Sequence, residues 1–253
     1  MRTLLLVLTC AIAASCASPV SELSGIEGTL PDLLILGEQH DVASHQDRHL
    51  QVVKHLSSRG RLAAVALEMA ERGNSTAGLP TNADETAVRQ ALRWDEEGWP
   101  WAAYGPTVMA AVRAGVPAVG ANLPRPRFRD TRADAQLDGL LSPAALEAQR
   151  QAIRTGHCGL LPEPQIAPMA RIQIARDRSM AEVMESAAVP GKTVVLVTGA
   201  AHADPALGVP RHLPRGARVK SLLWAAQANP ASPAKDYCDE LRRAMPPTRL
   251  PSP

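Results

Sequence analysis

Two short apolar runs, each followed by a Gly-x-x-His tetrapeptide, constrain this chain more than any other feature. The run at residues 33–36 leads into GEQH at residues 37–40, and the run at residues 193–198 leads into GAAH at residues 199–202. Short apolar runs without alternation are typical of strands that are buried on both faces of a parallel sheet. If both strands lie parallel in one sheet, His40 and His202 emerge at the same carboxyl edge, where open α/β sheets bind their ligands.

The order of the predicted elements indicates an α/β fold, with a mainly parallel central sheet flanked by helices. Further strands are predicted by apolar runs at residues 62–67, 116–121 and 218–223, and helices are predicted at residues 44–58, 84–93, 104–114 and 165–186. Residues 124–190 contain helical segments but no clear strand. We therefore expect a helical subdomain, inserted between the third and fourth strands.

Carboxylates accompany the two histidines at the predicted sheet edge. Glu38 lies in the first Gly-x-x-His segment, and Glu68 ends the second predicted strand. Two histidines with two carboxylates form a donor set for Zn, Mn or Fe, and His45 near the start of the first helix could join them. The same residues could instead support metal-free acid–base chemistry, with His40 as the base and a carboxylate orienting it. Ion pairing or helix capping is the structural alternative for each.

Aromatic residues are concentrated in one segment of a chain that has few of them. Three of the four Trp and one of the two Tyr lie within residues 94–104. This concentration predicts either a flat apolar surface that receives a large planar ligand or a packing cluster beneath a loop. Tyr104 is a candidate phenolate ligand for a haem iron, and His157 in the segment GHCG is a second candidate. Trp99 and Trp101 would lie beside such a ligand.

The N-terminal sequence predicts a targeting segment at residues 1–17. The apolar stretch at residues 4–14 is too short to span a bilayer and is typical of a cleaved signal peptide. The sequence AASC resembles a lipoprotein processing site that would make Cys16 the lipidated first residue, and cleavage after Ala17 is the alternative. We expect an outer-membrane lipoprotein or a periplasmic protein that contacts a membrane only through a lipid anchor, with residues 18–30 as a tether.

Charge and cysteine content restrict the partners and the covalent cross-links that this chain could have. The formal net charge is +2 and no Lys/Arg-rich block is present, which argues against nucleic acid as a partner. Cys158 and Cys238 could form a disulfide in an oxidising compartment or remain two free thiols, because only their spacing in the fold decides. The Pro-rich residues 226–253 are expected to be mostly disordered, with a charged segment at 236–243 that could form one or two helical turns.

Several segments across residues 31–225 agree with a known family in order and spacing, and they read LLILGEQHDVASHQ, ALEM, RWDEEGWPWAAYGP, VGANLPR, GHCGLLPE and VTGAAHA. Together they resemble the ChaN-like haem-binding uptake lipoprotein family, within the Tiki/TraB/erythromycin-esterase superfamily. The resemblance implies an α/β domain with added helices and a periplasm-facing lipoprotein linked to haem or iron uptake. A receptor or transporter for haem uptake would then be a further partner.

The same resemblance implies how haem would be held. In the described haem-bound member, a dimer holds two stacked haems, with a tyrosine ligating iron and a histidine of the partner chain nearby. Carried onto this sequence, the ligand role falls on Tyr104 and the distal role on His157, with the haem against the Trp-rich segment at the interface of a homodimer.

Other members of the superfamily are hydrolases, namely metal-dependent peptidases and esterases that open macrolide rings. They use the Gly-x-x-His pairs and neighbouring Glu residues, and this chain keeps the matching Glu38, His40, Glu68 and His202. Our interpretation is a haem-binding lipoprotein without catalysis. A metal-assisted or His/Glu-dependent hydrolase is the alternative, and a binding or scaffolding module with neither ligand is the third.

Overall fold

The computed structural model describes residues 30–224 and 237–244. Five strands form one sheet in the order β3-β2-β4-β1-β5, and they are β1 (Leu33–Glu38), β2 (Leu62–Glu71), β3 (Ala118–Asn122), β4 (Thr193–Gly199) and β5 (Val219–Leu223). Every pair of neighbouring strands in this sheet is parallel. The predicted α/β fold with a parallel central sheet is therefore confirmed.

Helices connect the strands and cover both faces of the sheet. They are α1 (Ala43–Ser57), α2 (Glu85–Leu92), α3 (Trp101–Arg113), α4 (Phe128–Ala133), α5 (Pro143–Gly156), α6 (Ile166–Ser186), α7 (Ala200–Ala203) and α8 (Tyr237–Ala244). Between β3 and β4, the chain forms α4, α5 and α6, and α6 packs on β3 as well as on α4 and α5. In the part of the chain that the structure describes, no helix combines the length and apolar character needed to cross a bilayer.

The period-two alternation of side chains assigns each strand residue to one of two cores. Leu34 and Leu36 of β1 pack in the core that α1, α2 and α3 cover. Leu33 and Ile35 lie on the opposite face, in the core that α6 covers. All these strand side chains are buried, so the alternation along each strand decides which helices a given position faces.

Two element boundaries differ by three residues or more from those that the sequence predicted. Strand β2 continues past residue 67 to Glu71, because its end pairs with Asn122 of β3 after a shift in register. Helix α3 begins at Trp101 instead of residue 104, because a carboxylate oxygen of Glu96 accepts a hydrogen bond from the Trp101 amide at 3.1 Å and satisfies a free donor at the helix start. Pro106 consequently lies inside the helix.

A disulfide joins Cys158 to Cys238, with 5.6 Å between their Cα atoms. Of the two alternatives for these cysteines, the structure has the bridge. The bridge fixes α8 beside the loop that follows α5, so this part of the predicted tail is a helix in contact with the domain. The predicted signal peptide, the lipidated Cys16 and most of the tether lie outside the described residues, as do residues 225–236 and 245–253.

Candidate functional site

The carboxyl ends of β1, β2 and β4 bring together four of the residues that the sequence singled out. Glu38, His40, Glu68 and His202 line a common open cavity of about 500 Å³. The parallel arrangement explains this convergence, because Glu38 of β1 pairs directly with Gly199 of β4. The shared edge that the two Gly-x-x-His segments predicted is present in the structure.

Glu38 faces α1 and α3, because it has the same parity as Leu34 and Leu36. Its Oε1 accepts a hydrogen bond from the Tyr104 hydroxyl at 2.6 Å and from His40 Nδ1 at 2.8 Å. Burial lowers the pKa of His40, but the hydrogen bond to Glu38 and the charge of Glu68 outweigh it, and the net shift is upward. Glu38 thus holds His40 at the mouth of the cavity, with a buried phenol on its other side.

A second histidine, His49 of α1, lies behind Glu38 and is fully buried. Its Nδ1 is 3.6 Å from Glu38 Oε2. Burial, together with the neighbouring His45 and His40, lowers the pKa of His49 to about 3. His49 is therefore a neutral residue of the core at physiological pH.

Glu68 faces the opposite side of the sheet, toward α6, because it shares the parity of Ala64 and Ala66. Its Oε2 accepts hydrogen bonds from the Thr198 hydroxyl and the Gly199 amide, both at 2.7 Å. Its Oε1 accepts one from Arg176 at 2.5 Å. Burial would raise the pKa of Glu68, but His202 and Arg176 hold it well below its usual range.

His202 is the centre of a buried ionic network. Its Nδ1 lies 2.5 Å from Asp177 Oδ1, and its Nε2 lies 3.5 Å from Glu68 Oε1. Burial lowers the pKa of His202, but the two carboxylates more than offset this and raise it to about 9. Burial also raises the pKa of Asp177. At neutral pH the imidazole is therefore a cation that stabilises the strand end.

Sequence reasoning missed Arg176 and Asp177, which complete this network from α6. The sequence feature that could have indicated them is a pair of adjacent charged residues inside the longest helical stretch, in the segment IQIARDRSM. Asp177 is buried and Arg176 is half-buried, whereas a solvated helix face would expose both.

The predicted metal donors do not converge on one point. Glu38 and Glu68 face opposite sides of the sheet, and His45 Nδ1 accepts a hydrogen bond from the Gln39 amide at 3.1 Å. Among residues 30–224 and 237–244, no group of three or more His, Cys, Asp or Glu has an arrangement that could hold a metal ion.

The aromatic segment is mainly a packing cluster, and one of its members reaches a cleft. Trp94 packs edge-on against Trp101, with 4.9 Å between ring centroids, and both Trp94 and Trp99 contact Tyr104. Tyr104 is only 2% exposed. Burial and the adjacent Glu38 raise the pKa of its phenol above its ordinary range, so the hydroxyl is a proton donor to Glu38.

A larger cleft of about 620 Å³ adjoins the 500 Å³ cavity at the sheet edge, which we call the edge cavity. The two share Glu68, Gln173 and Arg176. The cleft lies beyond the ends of β2 and β3 and beside α4, α5 and α6. Its apolar lining includes Trp99, Phe128, Ile153, Met169 and Ile172. A volume and lining of this kind are typical of sites for small organic ligands.

His157 also lines this cleft, in an orientation that leaves one ring nitrogen available. Its Nδ1 lies 2.8 Å from the Ile153 carbonyl oxygen, and because a carbonyl can only accept, Nδ1 carries the proton. The Nε2 atom then carries the lone pair. Histidines that bind metals are commonly oriented by such a bond to a backbone carbonyl. The next residue, Cys158, is fixed by the disulfide.

Tyr237 of α8 is a residue of the edge cavity that sequence reasoning assigned to the tail. Its hydroxyl donates to the Asp41 carboxylate, at 2.8 Å from each oxygen, and the side chain is 48% exposed. The disulfide at Cys238 accounts for its position, because it ties α8 to the domain.

Comparisons with known proteins agree with this architecture. The structure is similar to a solved structure described as "Cofacial heme binding to ChaN of Campylobacter jejuni", with a TM-score of 0.66 and 22% identity, over 82% of this chain and 87% of that chain. At this identity the likeness shows a shared fold. No curated protein matches the sequence. A family model described as "Haem-binding uptake, Tiki superfamily, ChaN" matches residues 30–213, which is more than half of the chain. The chain therefore belongs to the ChaN family of the Tiki superfamily, as its quoted segments predicted.

Proposed function

We propose that this protein binds haem in the 620 Å³ cleft and takes part in haem or iron uptake at the cell envelope. The observation that carries this proposal is the combination of apolar walls with the oriented imidazole of His157. Membership of a family described as haem-binding and uptake-related supports the same ligand.

The residues of the cleft fit the chemistry of haem. The side chains of Trp99, Phe128 and Ile172 offer an apolar surface to a porphyrin body. His157 would be able to hold the haem iron through the lone pair of its Nε2 atom. When bound, haem supplies the iron coordination and the visible absorption by which its binding can be followed.

In this proposal the residue that ligates the haem iron is His157, and the role of Tyr104 is to hold Glu38 in place. The Tyr104 hydroxyl is buried and donates to Glu38, so ligation would require breaking that bond and deprotonating a phenol of raised pKa. The ligand role that the family resemblance implies for Tyr104 stays a prediction, and the same experiment tests it.

The experiment is a titration of the purified protein with haemin, followed by visible absorption. We expect saturable binding, and we expect His157→Ala to shift the Soret band and weaken binding at least tenfold. His212→Ala is the matched control, because His212 lines neither the cleft nor the edge cavity. Tyr104→Phe should keep the parent spectrum.

Two results would contradict the proposal in different ways. Failure of the parent to bind haemin saturably would refute haem binding itself. Saturable binding with an unchanged spectrum in His157→Ala would move the iron ligand to another residue, and loss of the spectrum in Tyr104→Phe would identify that residue.

The cellular part of the proposal is a lipoprotein anchored through Cys16, acting as a homodimer that passes haem to a receptor or transporter. Cys16→Ala should release the protein from the membrane fraction into the soluble envelope fraction. Sedimentation velocity with and without haemin tests the dimer, which would be absent if the sedimenting mass stays that of one chain in both states.

The Glu38–His40 pair supports a second candidate function, hydrolysis of an ester or peptide by a water that His40 activates. Its supporting observation is the hydrogen bond of 2.8 Å that orients His40 at an open cavity. The pKa of His40 is shifted upward, which favours the protonated imidazole over the neutral form that acts as a base. Turnover of ester substrates that His40→Ala abolishes would favour this candidate.

A further inference from the structure

Arginine side chains distinguish the cleft from a purely apolar one. Four of them line it, at positions Arg93, Arg125, Arg132 and Arg176, against the three carboxylates of Glu68, Glu71 and Asp95. The lining therefore carries one formal positive charge in excess, since four cations face three anions. The distribution of these charges is more informative than their sum.

Two of the four guanidinium groups are already paired within the protein. Arg176 donates to Glu68 at 2.5 Å, and its Nε donates to the Asn122 side chain at 2.9 Å. Arg125 donates to Asp95 at 2.7 Å. These bonds fix both side chains in the wall of the cleft.

The remaining guanidinium groups, those of Arg93 and Arg132, make no hydrogen bond and no ion pair with any residue that the structure describes. The third carboxylate does not reach them, because Glu71 Oε1 accepts a hydrogen bond from the Arg125 backbone amide at 2.9 Å. The cleft thus presents two unpaired cations beside apolar side chains such as Phe128 and Ile172.

The backbone at Arg93 determines where its side chain enters the cleft. It ends α2 in the left-handed conformation, with φ of 47°. Glycine or asparagine is usual at such a helix end, because other residues lose about 1 kcal/mol or more there. At the same time the amides of Arg93 and Trp94 donate to carbonyl oxygens in the last turn of α2, so this conformation closes the helix and fixes the position of Arg93 at the rim of the cleft.

We propose that Arg93 and Arg132 bind the carboxylates of the ligand, so that the cleft selects porphyrins with free propionate groups. This inference rests on the proposed haem function and adds the chemical class of porphyrin that the site accepts. Guanidinium groups form strong, often bidentate bonds with carboxylates. Both arginines are exposed and solvated in the free protein, and the propionates supply them with charged partners when the porphyrin body covers the apolar walls.

The test compares haemin with haemin dimethyl ester, which keeps the iron and the ring but has no charged carboxylate. Both are titrated into the parent protein and into the double variant Arg93→Gln/Arg132→Gln. The matched control is Arg113→Gln/Arg215→Gln, which removes two exposed arginines that lie outside the cleft.

We expect the parent to bind haemin at least tenfold more tightly than the ester, a factor that corresponds to about 1.4 kcal/mol. The double variant should lose most of this preference through weaker haemin binding, while its affinity for the ester and the position of its Soret band stay unchanged. The control should keep the preference. The preference of the parent should also decrease with added salt, because it depends on charge.

The outcomes separate this inference from the function on which it rests. Haemin binding by a parent that binds the ester equally well would overturn the inference and leave haem binding intact. A preference that persists in the double variant would have the same consequence. Failure of the parent to bind haemin would overturn both. If the double variant does not fold, the ester and salt comparisons on the parent still decide.

Discussion

The ionic network around His202 predicts that the protein loses stability as the pH rises above neutrality. His202 is 3% exposed and lies between Asp177 and Glu68. Its pKa rises from 6.5 to about 9 in the folded protein, because the two carboxylates outweigh the effect of burial. The perturbation is therefore a change of pH alone, without any substitution.

The sign and size of the effect follow from proton linkage. A group whose pKa is raised by folding contributes its full stability below the pKa of the unfolded chain, and loses it as the pH rises through the folded value. For His202 the loss begins near pH 6.5 and is largely complete above about pH 9. A difference of this size corresponds to about 3 kcal/mol in the free energy of unfolding.

The assay is urea unfolding followed by tryptophan fluorescence at several pH values across this window. The parent should lose about 3 kcal/mol, whereas His202→Gln should be less stable near pH 6.5 and should keep only the smaller slope that His40 contributes. His40→Gln is measured in parallel, because the pKa of His40 is also raised and would add to the slope. A parent whose stability changes by less than about 1 kcal/mol, or a His202→Gln variant with the parent slope, would refute the reasoning.

Three further predictions concern the surroundings of the site. Tyr104→Phe removes the hydroxyl that donates to Glu38 at 2.6 Å, and should lower the free energy of urea unfolding by about 1.5–3 kcal/mol, the usual range for a bond to a charged group; an equally stable variant would contradict this. Cys238→Ser opens a loop between positions 80 residues apart and should lower stability by about 2–4.5 kcal/mol, the upper figure being the loop entropy. Equal melting temperatures of parent and variant, with and without reductant, would contradict it. Gly120→Ala places a Cβ atom 2.1 Å from the Glu71 carbonyl oxygen and should cost about 2 kcal/mol or more, which a melting temperature equal to that of the parent would exclude.

The fold could be predicted from sequence because its strands are buried on both faces. Residues 33–36 and 193–198 are apolar without alternation, which excludes a half-solvated antiparallel strand. The Gly-x-x-His segments that follow placed His40 and His202 at one edge, and the structure has both there. These features are local in sequence, so pattern reasoning reaches them.

The partners of those residues could not be predicted in the same way, because they depend on which helix covers which face. Arg176 donates to Glu68 across 108 residues of sequence, and no local pattern encodes that contact. The same reason hid the bonding partner of Tyr104, whose role as a haem ligand stays a prediction. Its hydroxyl is bonded to Glu38 at a separation of 66 residues.

The opposite orientations of Glu38 and Glu68 explain why ligand binding and the buried ionic network use different residues. Glu38 and Glu68 point to opposite faces, so each recruits its own partners, and Glu68 and Arg176 form the wall that the edge cavity shares with the cleft. Arg176 cannot turn toward a ligand without leaving Glu68 buried and short of a partner, which costs several kcal/mol. In the proposal made above, recognition of an anionic ligand therefore falls on the cations of the cleft that have no partner among the described residues, Arg93 and Arg132.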